Sequence, residues 1–126
     1  MSKNLIALRL QLIRAFVGKL GDKQQRVMTQ ENQDYSDAPW ITEEELIERI
    51  GIEKVDFIKC DIEGGEFGLL TPSSKLLSMA KSIAIEVHAF AGDVEKFMVD
   101  VKLCGFIIGP VQHDPDGSVT FLAKRQ

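Results

Sequence analysis

The sequence predicts an α/β fold: a mostly parallel sheet with right-handed crossovers, helices on both faces and an antiparallel hairpin at the C-terminal end. Three observations predict it. Two short apolar runs, residues 55–60 (VDFIKC) and 82–87 (SIAIEV), have the length and composition of buried strands and alternate with helical periodicity. Thr42 and Glu45 form a capping box ahead of the first run. Residues 106–109 and 118–123 flank a Pro-Val-Gln-His-Asp-Pro-Asp-Gly loop that suits a closing hairpin.

Taken in order, Leu5, Leu8, Leu12, Phe16 and Leu20 make one stripe flanked by Ile6, Ile13 and Val17, which predicts an N-terminal amphipathic helix over residues 3–20 that Gly21 stops. Such a helix packs on the core or on a second subunit, or lies on a membrane surface as a basic segment or presequence. Residues 22–40 read as a polar loop with a short strand around 27–29. The expected organisation is therefore 1–21 helix, 22–40 linker and 41–126 α/β domain. The capping box starts a helix over residues 43–50 that Gly51 ends, and the strand at 55–60 follows. Glu63 to Glu66 turns the chain into a helix reaching Ala80, with a break at Pro72. The strand at 82–87 ends near His88. Asp93 to Cys104 reads as a helix with Val94, Phe97, Met98, Val101 and either Leu103 or Cys104 inward, and Gly105 after it.

Composition limits the function classes. A chain of 126 residues, 44% hydrophobic and 27% charged, holds one ordinary core. Arg9 and Arg14 interrupt the most apolar N-terminal stretch, so neither a membrane span nor a signal-peptide core is read there. Cys60 and Cys104 are too few for a disulfide scaffold and predict buried, reduced thiols in a cytoplasmic protein. Residues 1–26 carry six basic groups and one acid, while the remainder carries nine basic and eighteen acidic groups. That acidic body repels phosphate backbones, and nucleic acid is excluded as a partner.

In open sheets ligands bind beyond the carboxyl ends of the strands. The two central strands end in Asp61 and Glu63 and in Glu86 and His88, each pair spaced by two, and alternation puts the members of a pair on one side. If the strands are neighbours, three carboxylates and an imidazole share one rim. Their repulsion calls for a cation, a shared proton or a basic group. As a metal site, Asp61, Glu63 and Glu86 suit magnesium or manganese, which would lower an alcohol's pKa. As a metal-free site, His88 is the general base, with Glu86 or Asp61 orienting its ring. Carboxylates at strand ends also serve simply as charges at a helix N-terminus, a reading that applies to Glu66 first and to Asp61 and Glu63 after it. His113 faces solvent.

The segment Val55-Asp-Phe-Ile-Lys-Cys-Asp-Ile-Glu-Gly-Gly-Glu66, then Leu69-Leu70, then Ile83-Ala-Ile-Glu-Val-His88, resembles the C-terminal half of FkbM-type methyltransferases. Their motifs are a strand ending in Asp-x-Glu-Gly-x-Glu and a later strand ending in Glu-x-His. The resemblance covers about residues 40–123 and includes Leu103-Cys-Gly-Phe106. It implies a partial Rossmann-like, class I methyltransferase-like sheet, S-adenosylmethionine as cofactor, and O-methylation of a hydroxyl on a sugar or other small molecule. Asp61 and Glu63 would end the fourth strand of that fold, and Glu86 and His88 the fifth, lining the acceptor side of the cleft. The expected spatial order is then fourth, fifth, seventh, sixth.

Upstream of Asp61 the glycines are Gly18, Gly21 and Gly51, each isolated, so the glycine-rich turn that such a cofactor needs is missing from this stretch. The expectation is a truncated or inactive methyltransferase relative, whose open fourth strand calls for a homodimer or a partner subunit. The alternative is a non-catalytic half-fold acting as an interaction or regulatory module. A weaker third reading is a metal-dependent hydrolase on the carboxylate rim.

Overall fold

Residues 11–13, 15–17 and 39–126 are described by the structure, a computed structural model. Phe16–Val17 (β1) and Trp40–Ile41 (β2) form a two-stranded parallel ribbon. This corrects the predicted N-terminal helix: the described part of residues 3–20 is not helical. Aromatic and β-branched residues fit a pleated surface, and a strand partner some two dozen residues away is invisible to helical periodicity. The rest of that helix, and the strand around 27–29, lie outside the described residues.

The capping box forms. The Glu45 amide donates to Thr42 Oγ1 at 3.0 Å and the Thr42 amide to Glu45 Oε1 at 3.3 Å, opening helix α1, Glu43–Ile50. Gly51 ends it in the left-handed conformation at φ 71°. Strand β3, Val55–Cys60, runs to the turn before α2, Glu66–Leu69. The break expected at Pro72 divides this stretch into two helices, because Pro72 has no amide to donate and Ser74 starts a new cap for α3, Lys75–Met79. Glu43 reinforces that start, accepting from the Leu76 amide at 2.6 Å and from the Ser74 hydroxyl. Ala80 already belongs to β4, Ala80–Val87. Helix α4, Val94–Leu103, is capped by Asp93, whose carboxylate accepts from the Lys96 amide. Strands β5, Phe106–His113, and β6, Val119–Arg125, make the antiparallel hairpin, with a register shift between Ile108 and Val111 beside Pro110 on the edge strand.

The sheet order is β3-β4-β6-β5, the order the resemblance implies. It corrects the mostly parallel sheet, because only β3 and β4 pair in parallel. The hairpin return places β6 between β4 and β5, so the one reversed strand makes both of its pairings antiparallel. Of the helices expected on both faces, α3 and α4 pack on one. Ile83, Ile85 and Val87 of β4 pack with Val119, Phe121 and Ala123 of β6 against Leu77 of α3 and Phe97 and Val101 of α4. Each of these side chains larger than Ala123 contributes about 1.5–3 kcal/mol by leaving water. Across the sheet, Phe57, Ile107 and Leu122 are about half exposed. Among the described residues only one face carries the core. Cys104 rather than Leu103 turns inward, Leu103 being 78% exposed.

Arg125 ties the two layers at the C-terminal end. Its guanidinium donates to the carbonyls of Ala80 at 2.8 Å, Leu77 at 2.6 Å and Cys104, and stacks 4.2 Å above the Phe106 ring. Helix-terminal carbonyls lack intrahelical partners and favour such a cation. Among the described residues no helix is long and apolar enough to cross a membrane.

Candidate functional site

Parallel pairing of β3 with β4 sets Cys60 beside Ile85 on the core side, so the residues one step on, Asp61 and Glu86, share the opposite side. The chain then turns sharply. Glu63 takes a left-handed backbone, φ 50°, and Gly64 follows at φ 98°. A side chain at Gly64 would lie 2.7 Å from Ala91 Cβ and 3.0 Å from the Phe90 ring. The turn after β3 is therefore pressed against the turn after β4, which brings Glu66 under His88.

His88 is at the centre of the result. Its Nε2 is 3.7 Å from Asp61 Oδ1, 3.7 Å from Glu63 Oε2 and 3.6 Å from Glu86 Oε1. Its Nδ1 is 2.8 Å from Glu66 Oε1, which also accepts from the His88 amide at 2.8 Å. Glu66 Oε2 accepts from the Gly64 amide at 3.0 Å. The side chains of Asp61 and Glu63 are open to solvent, whereas Glu66 is fully buried. Phe90 leans on the imidazole, ring centroids 5.8 Å apart. From the hairpin side, Ser118 Oγ accepts from the Ala89 amide and bonds the Asp116 carboxylate, fastening the turn after β4.

Electrostatics follow from this crowding. Burial works against a charge on His88, but the Glu66 hydrogen bond and the Glu66, Glu63 and Glu86 carboxylates outweigh it, and its pKa rises above the ordinary value. Glu86 is held above the usual carboxylate range by desolvation and by the Asp61 charge, with His88 opposing. Burial, then Glu66 and Asp61, push the Cys60 thiol up to about 12, leaving it an inert core thiol. Both cysteines are free, as expected.

All four residues singled out in the sequence, Asp61, Glu63, Glu86 and His88, are thus brought to one rim. Asp61, Glu63 and His88 each offer a metal-ligating atom, all within 4.8 Å of one another, and Glu86 falls outside that trio. His113 is exposed on β5. A cavity of about 300 Å³ lined by Phe67, Pro72, Lys96 and Phe97 lies on the helical side and shares no residue with the rim.

Glu66 escaped the sequence reading as a contact of His88. Its place at a helix start was legible, but its bonds to the amide and ring of His88 join two separate turns, which no spacing encodes. The carboxylate within hydrogen-bond distance of the ring is Glu66, whereas Glu86 and Asp61 lie farther off on the Nε2 side. The Gly64 and Gly65 turn is also no cofactor cradle, because the space a glycine leaves at 64 is filled by Ala91 and Phe90. The model of the methyltransferase FkbM domain family matches residues 9–108 of the chain. Neither a curated protein nor a solved structure matches it.

Proposed function

The chain belongs to the FkbM methyltransferase family, and from that premise we propose that its rim is the acceptor side of an O-methyltransferase site, with His88 as general base toward a hydroxyl of a sugar or other small molecule. The observation that carries this reading is the His88 Nε2 atom, equidistant from three carboxylates at the open end of β3 and β4. A hydroxyl placed among these groups loses its proton to Nε2, which makes its oxygen the stronger nucleophile. The imidazolium formed is stabilised by Asp61, Glu63 and Glu86, whose charges are already in position and need no reorganisation. The same carboxylates accept hydrogen bonds from neighbouring hydroxyls, which favours a polyol.

Family membership points to S-adenosylmethionine in general. The described residues do not fit it: their one double-glycine turn is closed by protein packing, and α2, at four residues, is too short to offer a helix N-terminus. No step is therefore assigned to the cofactor. Titrating the full chain calorimetrically with S-adenosylhomocysteine, and assaying labelled methyl transfer to a panel of sugars, tests the reading. Micromolar binding, with transfer lost in His88→Gln, supports it. Transfer that survives His88→Gln refutes the base.

A second reading is favoured by the exposed face. Phe57, Ile107 and Leu122 are about half exposed, and β3 is the edge of the four-stranded sheet. On this reading the domain is a non-catalytic module pairing with a second copy or a partner subunit across that edge. Light scattering on the full chain decides it: a dimer that Phe57→Lys converts to monomer supports pairing, and a monomer at high concentration removes the homodimer.

A further inference from the structure

Glu66 has 0% relative exposure, yet it carries a carboxylate. Burying a charge is costly unless donors surround it. Here three nitrogens converge on it: the Gly64 amide on Oε2, and the His88 amide and His88 Nδ1 on Oε1. The two amides are fixed donors, so the acceptor role of this group is set by the backbone. The bond from the His88 amide and the bond from its ring reach the same oxygen, which fixes both the start of the side chain and the plane of the ring. A carboxylate accepts only, so the proton of the neutral imidazole belongs on Nδ1. Nε2 then carries the lone pair.

We infer that Glu66 is a positioning residue, which holds neutral His88 in the Nδ1-protonated tautomer and aims its Nε2 lone pair at the rim formed by Asp61, Glu63 and Glu86. The inference deepens the reading of His88 as general base and rests on it for its catalytic meaning, but its structural content stands apart. It explains why a carboxylate is retained inside a close-packed turn: an apolar residue of similar size would leave two amides and a ring nitrogen without partners. It also explains the left-handed Glu63 and the tight Gly64, since the turn must bend sharply to bring the residue 66 carboxylate beneath the end of β4.

The test is long-range proton–nitrogen NMR of the full chain labelled at histidine nitrogen, at a pH where both histidines are neutral. The chain has only two histidines, and exposed His113 is the internal reference for an unconstrained ring. His88 is expected to show a protonated Nδ1 and an unprotonated Nε2, while His113 shows the ordinary mixture. An Nε2-protonated or mixed His88 in the wild-type chain overturns the inference whether or not any variant folds. In Glu66→Leu, which removes the acceptor oxygen, the His88 tautomer is expected to move toward a mixture, and kcat for the acceptor to fall about 10²-fold or more with KM little changed, the size of a general-base contribution. An Nδ1-protonated His88 in a chain that transfers no methyl group leaves the positioning role standing and overturns only the enzymatic reading. A folded Glu66→Leu that keeps the wild-type tautomer overturns the role of Glu66.

Discussion

Replacing Gly64 by alanine should destabilise the protein far more than the same change at Gly51, although both glycines have positive φ. At Gly51, φ 71°, an added Cβ meets nothing within 4 Å. The left-handed backbone costs an alanine about 1–2 kcal/mol there, and the smaller entropy of the unfolded chain returns about 0.4–1 kcal/mol. At Gly64, φ 98°, the Cβ lies 2.7 Å from Ala91 Cβ and 3.0 Å from the Phe90 ring. Ala91 Cβ is tied to its backbone and cannot swing away. Overpacking of this kind adds about 1–3 kcal/mol. The expected losses are about 0.5–1 kcal/mol for Gly51→Ala and about 2–4 kcal/mol for Gly64→Ala. Urea unfolding followed by circular dichroism reads both, provided the slope with denaturant is unchanged so that the midpoints compare directly. Equal losses at the two sites would refute the claim that the turn after β3 is closed by contact with the turn after β4.

Arg125→Ala should cost about 2–4 kcal/mol in the same assay, because hydrogen bonds to a charged group are worth about 1.5–3 kcal/mol each, and of the three carbonyls left here Leu77 keeps the Ala80 amide and water reaches the part-buried site to offset part of the loss. Arg125→Lys should restore little of it, since one ammonium cannot span three carbonyls and stack on Phe106; full rescue by lysine would show that charge alone matters. Because folding raises the His88 pKa above its ordinary 6.5, its stabilising contribution is complete below that value and is lost as pH rises through the folded-state pKa. Unfolding free energy measured from pH 5.5 upward should show that loss in the wild-type chain and not in His88→Gln. Glu86→Gln removes a carboxylate that Asp61 already repels, so it should leave stability unchanged or slightly higher while lowering the His88 pKa seen by NMR. Unfolding of that variant would mean that the rim is structural.

Much of this was legible in local chemistry. The helix at 43–50 follows from Thr42 and Glu45 meeting each other's amides, and its end from Gly51. The strands at the centre follow from apolar runs of the right length, and the meeting of Asp61 with Glu86 and His88 from a side-chain period of two at the ends of neighbouring strands, whereas Glu63 reaches them through the left-handed turn after β3. These are interactions within a few residues, or repeats of one geometry, and a sequence carries them openly. Tertiary structure alone decided the rest. The two described N-terminal strand residues pair with Trp40 and Ile41, overriding a helical stripe. The direction of β6 and its insertion between β4 and β5 turned a mostly parallel expectation into two antiparallel pairings. Most of all, the contact of Gly64 with Ala91 and Phe90 carried Glu66 beneath His88 and made an ordinary helix-start carboxylate into the group that holds the ring. Such contacts join segments whose separation no local pattern records, because what they depend on is the distance between two turns rather than the residues inside either one.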